Sequence, residues 1–103
     1  MKNKKMAKIV RKARRKLKLY GWRRGGRGYL TASRYPSHMC FLGAVDYVVG
    51  GDPNTSTDVG ALISSVHAEM YGTSLVGWND HVAKNEKDAL KHLKDFSKKL
   101  EKV

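Results

Sequence analysis

Eleven residues from Met39 to Val49, Met-Cys-Phe-Leu-Gly-Ala-Val-Asp-Tyr-Val-Val, carry a single charge, Asp46. A helix that is apolar on nearly every face has to be buried on nearly every face. This one is far too short to span a bilayer, which takes about 20 apolar residues. In a chain of 103 residues it predicts a central core helix with the other elements packed around it. Gly43 and Ala44 in its middle would let a neighbouring helix or an indole ring approach closely.

A chain of this length is one domain, able to bury roughly two-thirds of its unfolded surface. Its one cysteine, Cys40, excludes an intrachain disulfide and a Cys-rich zinc framework. The basic N-terminus is not followed by the apolar run of a secretory signal, so a cytoplasmic protein is expected. Charge is the sharper clue. Residues 1–45 hold 14 Lys and Arg and no acid, whereas residues 46–103 hold 7 Lys and 9 acids, giving +12 overall. A one-sided cationic half attracts something anionic: nucleic acid, a phosphorylated small molecule, an acidic protein or an anionic membrane.

Periodicity divides the chain into four helices. Residues 1–5 are expected to fray. Met6, Ile9, Val10, Ala13, Leu17 and Tyr20 then recur at the spacing of one helical face, predicting a helix over about 4–20 closed by Gly21. Its other faces carry Lys8, Arg11, Lys12, Arg14, Arg15, Lys16 and Lys18 without an acid. Like charges at i, i+4 cost a few tenths of a kcal/mol each, so such a cluster points to a partner. Pro36 and Ser37 suit the start of the second helix, with Ser37 as its cap, running to about Val49. Gly50-Gly51-Asp52-Pro53-Asn54 breaks the chain. Thr55–Thr57 supply the cap of a third helix striped by Val59, Leu62, Ile63, Val66 and Met70 and ended by Gly72, with His67 as a structural neighbour of that stripe. Thr73–Trp78 reads as an extended link. Asn85 caps the last helix, over about 86–102, with Asp88 completing a capping box and Leu90, Leu93, Phe96 and Leu100 as its stripe. The outer face of that helix mixes Lys with Asp and Glu, the pattern of an ordinary solvated surface.

Between the first two helices, Trp22 is followed by Arg23-Arg24-Gly25-Gly26-Arg27-Gly28, and residues 23–35 read as a Gly/Arg-rich loop. Glycines let successive amides curl toward an anion, and arginines fork onto phosphate oxygens. The loop lacks the Gly-Lys-Ser/Thr ending of a Walker sequence and the spacing of the dinucleotide fingerprint. Trp22, Tyr29 and Tyr35 are available to stack on bases.

Gly21-Trp22 after the first helix, Cys40-Phe41-Leu42-Gly43-Ala44 opening the second and Trp78-Asn79-Asp80 before the last stand in a fixed order. In this the chain resembles a family of small bacterial and phage proteins classed only as a domain of unknown function. The resemblance covers nearly the whole chain and implies a helical fold in a phage or bacterial setting, with Trp22, Cys40, Gly43, Ala44, Trp78, Asn79 and Asp80 as structural or cleft residues. It implies no activity. The chain has Arg23 and Arg24 where the family tends to have small polar residues, so the basic character belongs to this member. The indole N–H groups of Trp22 and Trp78 need partners when buried, and Asn79 or Asp80 can accept them or cap a helix end.

Other chemistries fit the residues less well. Cys40 with His81 or His67 as base and Asn79 as orienter has the residue types of a hydrolase triad, but the thiol sits in the most apolar stretch, where it is inert. His38 and Cys40 point to different sides of a helix and no paired ligand spacing recurs, so neither metal nor cofactor is expected. The first helix lacks the Asn, Gln and Ser that read base edges beside Arg, so contacts to phosphates without sequence preference are expected. Its stripe has no Trp or Phe to enter a membrane. The sequence therefore predicts a single all-α domain of four helices around a buried second helix. The expected function is a non-enzymatic phage or bacterial accessory protein that binds nucleic acid or another polyphosphate through Lys8, Arg11, Lys12, Arg14, Arg15, Lys16, Lys18, Arg23, Arg24 and Arg27. The alternatives are an inhibitor of an acidic host enzyme or defence component, and a protein that sequesters a nucleotide signal between Trp22, Trp78 and the arginine loop.

Overall fold

The first helix, α1 (Asn3–Tyr20), keeps Met6, Ala7, Val10, Ala13 and Leu17 almost wholly out of water. In the computed structural model, which describes residues 2–25, 29–30 and 36–102, the chain is all-helical apart from a two-residue antiparallel pairing of β1 (Tyr29–Leu30) with β2 (Pro36–Ser37). The long helices are α1, α2 (Phe41–Gly50), α3 (Asp58–Tyr71) and α5 (Glu86–Lys102). Helix α1 packs against α5 and α2, and α2 against α3. The shared core is closed by Phe41, Ala44 and Val45 of α2, Ile63 of α3 and Ala89, Leu93, Phe96 and Leu100 of α5. Among the described residues no helix is long and apolar enough to cross a membrane.

The structure departs from expectation in four places. Residues 3–5 are helical rather than frayed. The second helix starts at Phe41, and its cap is Cys40, whose sulfur accepts from the Gly43 N–H at 3.3 Å. Ser37 cannot serve, because the strand it occupies continues into a pairing with the end of α1. There His38 N–H donates to the Tyr20 carbonyl at 3.0 Å and Met39 N–H to the Gly21 carbonyl at 2.9 Å. Third, α2 is buried at Phe41, Gly43, Ala44, Val45 and Asp46 but emerges at its end, where Val49 is 39% exposed. Its last turn lines an open groove beside α1 instead of being covered.

Fourth, the link expected to be extended is helical, giving five α-helices among the described residues rather than four. Ser74 caps a single turn, α4 (Leu75–Gly77), by accepting the Gly77 N–H at 3.1 Å. It runs into a π-helical turn over Trp78–Val82, closed by the Ala83 N–H on the Trp78 carbonyl at 2.9 Å. Such turns insert one extra residue into the helical path and often re-aim a side chain. Here Asn79 faces the interior.

Two polar devices lock the helices together. Buried Asp46 of α2 accepts from the Thr57 N–H at 3.1 Å and the Thr57 hydroxyl at 2.7 Å, and the same hydroxyl oxygen accepts from the Gly60 N–H. Position 60 has to be glycine, because a Cβ there would stand 2.2 Å from Asp46 Oδ1. The second device joins α3 to α5. His67 Nδ1 lies 2.6 Å from the Thr73 carbonyl and its Nε2 lies 2.7 Å from Nε2 of His92. The carbonyl can only accept, so His67 carries its proton on Nδ1, accepts at Nε2, and His92 donates from Nε2. His92 stacks on Trp78 with centroids 3.6 Å apart and planes 7° from parallel.

Burial, and then proximity to His67, lower the His92 pKa from 6.5 to about 4, and burial lowers that of His67. The unfolded chain therefore binds protons between pH 6.5 and 4 that the folded chain refuses. Stability is full above pH 6.5 and falls through that window, by at most about 1.4 kcal/mol per pH unit per histidine. Urea unfolding at intervals from pH 7 to 4.5 should show this slope. His92→Phe, which keeps the stack on Trp78, should be less stable at pH 7 but flatter in its pH dependence. An equal slope in the variant would assign the acid sensitivity to other groups.

Candidate polyanion-binding face and the Asn79 hub

The apolar stripe of α1 turns its basic residues outward and to both flanks. Lys8, Lys12, Arg15 and Lys18 are exposed, while Arg11, Arg14 and Lys16 are half-buried. Each half-buried one has a partner. Arg11 pairs with Glu101 of α5. Arg14 Nε donates to the Leu90 carbonyl at 2.8 Å. Lys16 Nζ stands 5.8 Å from the centre of the Tyr47 ring.

Helices α1 and α5 run antiparallel, and Lys87, Lys91, Lys94 and Lys98 come up beside the α1 cations. Lys18 and Arg14 share a concavity with Lys87, Leu90, Lys91 and Lys94. Arg11, Arg14 and Arg15 share the next one with Lys94, Ser97, Lys98 and Glu101. Along this face the one carboxylate lining these two concavities is Glu101, already held by Arg11. The sequence contained the signal: positions 87, 91, 94 and 98 fall at helical spacing on one strip. The acids between them obscure it, yet Asp95 lines a separate concavity with Tyr71, His92 and Lys98, and Asp88 accepts the Lys84 N–H at 3.0 Å.

Arg24 Nη2 donates to the Ala83 carbonyl at 2.5 Å and lies 3.4 Å from that of Lys84, with its guanidinium 6.0 Å from the Trp22 ring. It ties the loop to the segment before α5 while the residue stays exposed. The Arg23 N–H donates to the Met39 carbonyl at 3.1 Å. Arg27, Tyr35 and the side chain of Tyr29 lie outside the described residues.

Three of the short sequence motifs are tied together at Asn79, which is fully buried and reaches Trp22, Phe41 and Asp80. Its Oδ1 accepts from the Trp22 indole N–H at 2.7 Å and the Phe41 N–H at 3.0 Å. Its Nδ2 donates to the Arg23 carbonyl at 3.1 Å and Asp80 Oδ1 at 2.8 Å. Both acceptor and both donor positions of the amide are used. Asp80 Oδ1 also accepts the Gly25 N–H at 2.8 Å, and Glu86 accepts the Trp22 N–H at 3.1 Å. The Trp22 indole, half-buried, is held through its N–H, with the Arg24 guanidinium over its ring. His67 bonds to Thr73 and His92, Asn79 to the groups just named, and Cys40 caps α2. Cys40, His67 and Asn79 thus each make a different structural contact. His38 Nδ1 faces the Ser37 hydroxyl at 2.8 Å. Among the described residues no three of His, Cys, Asp and Glu are grouped to hold a metal ion.

Asn79→Ala would strand the indole N–H, the Phe41 N–H and the Arg23 carbonyl together. Since a buried unpaired group costs about 1–3 kcal/mol, a loss of about 3 kcal/mol or more is expected in urea unfolding. Trp22→Phe leaves Asn79 Oδ1 bonded to Phe41 and should cost visibly less. Equal losses would mean that ring packing, not the amide, holds the hub.

The chain matches no curated protein and no solved structure. A family model does match, over residues 1–98, and the chain accordingly belongs to a family of unknown function, DUF6197.

Proposed function

We propose that this protein is a non-enzymatic phage or bacterial accessory protein that binds the phosphate backbone of nucleic acid on the face shared by α1 and α5. The observation that carries this reading is the antiparallel placement of Lys87, Lys91, Lys94 and Lys98 beside Arg14, Arg15 and Lys18, with Glu101 neutralised by Arg11. Cations on two adjacent helices repel one another, and a polyanion relieves that repulsion while releasing its own counterions. An α1 of 18 residues is about 27 Å long, which corresponds to about eight base pairs along a duplex at ~3.4 Å each. Lysines and arginines on both helices position a backbone without reading bases, so little sequence preference is expected. Relative to the sequence expectation, the proposed surface gains the α5 lysines and loses Arg24, whose guanidinium is occupied by main-chain carbonyls.

Fluorescence anisotropy with short labelled DNA and RNA duplexes of unrelated sequence, over a salt series, tests this. Binding should steepen by about −0.9 in log–log slope for each phosphate neutralised on duplex DNA. Charge reversal of Lys91, Lys94 and Lys98 together should weaken binding at least about tenfold at low salt and reduce the slope by about three. Arg24→Ala should leave the slope nearly unchanged and lower thermal stability instead. An α5 variant that binds like the parent would remove this face from consideration.

A further inference from the structure

The opposite flank of α1 has a different chemistry. Two adjoining concavities of about 630 and 610 Å³ run between α1 and α2, both lined by Lys12 and Val48. Together they reach from Lys4 to Leu19, about 23 Å at the helical rise and so the length of about four helical turns. The floor is aliphatic. Leu19 is 68% exposed and Val49 is exposed beside half-buried Val48. The rim is basic, with Lys8, Lys12 and Arg15 among its members, and no carboxylate lines it among the described residues. A phosphate chain gains nothing from exposed leucine and valine, and a bilayer is too flat to enter a channel between two helices.

We infer that this groove is a docking site for an acidic amphipathic helix of another protein. Its apolar residues, spaced i, i+3, i+4, i+7, would seat on Leu19, Val48 and Val49, with its Asp and Glu against the lysine rim. Charge complementarity selects the occupant: a second copy of a chain carrying +12 would bring like charge to the rim, whereas an acidic helix satisfies floor and rim at once. The site shares Arg15 with the nucleic-acid face, but Leu19 and Val49 belong only to this groove and Lys91, Lys94 and Lys98 only to the other, so the two can succeed or fail separately.

Two labelled peptides of about 16 residues, identical in composition, make the test on the full chain. One places Leu and Phe on a single helical face among Glu, and the other scatters them. The ordered peptide should bind at least about tenfold tighter than the scattered one. Leu19→Ser with Val49→Ser, both at exposed positions and checked for unchanged circular dichroism, should bring the ordered peptide down to the level of the scattered one while leaving duplex binding intact. Charge reversal of Lys91, Lys94 and Lys98 should leave the ordered peptide bound. Equal binding of the two peptides would overturn the inference, since charge alone would then explain it. So would a double-serine variant that keeps the ordered peptide. Loss of binding to phosphatidylserine vesicles in that variant, without any discrimination between peptides, would overturn it in favour of a membrane surface.

Discussion

The amide of Asn79 is the contact on which the arrangement of this domain depends. It is buried, it fills all its hydrogen-bonding positions, and besides the neighbouring Asp80 it reaches two segments distant in sequence: the Trp22 ring and Arg23 carbonyl, and the Phe41 N–H. Three of these belong to chain that would otherwise be loop or helix end, where backbone groups lack intrahelical partners. One side chain thus fixes the exit of α1, the entrance of α2 and the approach to α5. The π-helical turn that presents it is explicable on the same terms. A regular α-helix through Trp78–Val82 would alter the direction of residue 79, and an inward amide is what the three junctions need.

With those junctions held, α1 becomes a partition with two unlike flanks. Against α5, outside the shared core, its rim meets a row of lysines. Against the end of α2 it meets valine and tyrosine. The same row of cations therefore serves two kinds of groove, one lined by charge and one floored by hydrocarbon. Neither property resides in α1 alone. On the proposed reading, charge would decide what is attracted to this protein and the neighbouring helix what is retained.

Much of this was legible in the residues. The bounds of α1, α3 and α5 follow from apolar period and capping residues: Gly21 and Gly72 end their helices, Thr57 opens α3, and Asn85 accepts the Asp88 N–H at 2.9 Å. What escaped has a common physical character, because it depends on pairing at long range. Ser37 is a better cap than Cys40 by intrinsic preference, but the His38 and Met39 backbone that follows it is drawn into pairing with Tyr20–Arg23, a partnership without a local signature. Arg24 reads as a free cation because its acceptors are main-chain carbonyls, which every residue has. The lysine strip of α5 was present in the spacing, yet mixed signs along a helix look solvated until a neighbour shows which strip faces it. Asn79-Asp80 reads as a turn by composition, and only the structure distinguishes a turn former from a buried amide hub.

Gly60 leads to a different kind of consequence. Its missing side chain is the space occupied by the Asp46 carboxylate, and that carboxylate organises Thr57, whose hydroxyl in turn caps Gly60. The three positions form a closed circuit across two helices, so none can change profitably by itself. A larger residue at 60 displaces the acid, and loss of the acid leaves the glycine as mere slack at the start of a helix. Within the family, positions 46, 57 and 60 should therefore drift as a set or hold still as a set, and a member lacking one of them should have replaced the other two.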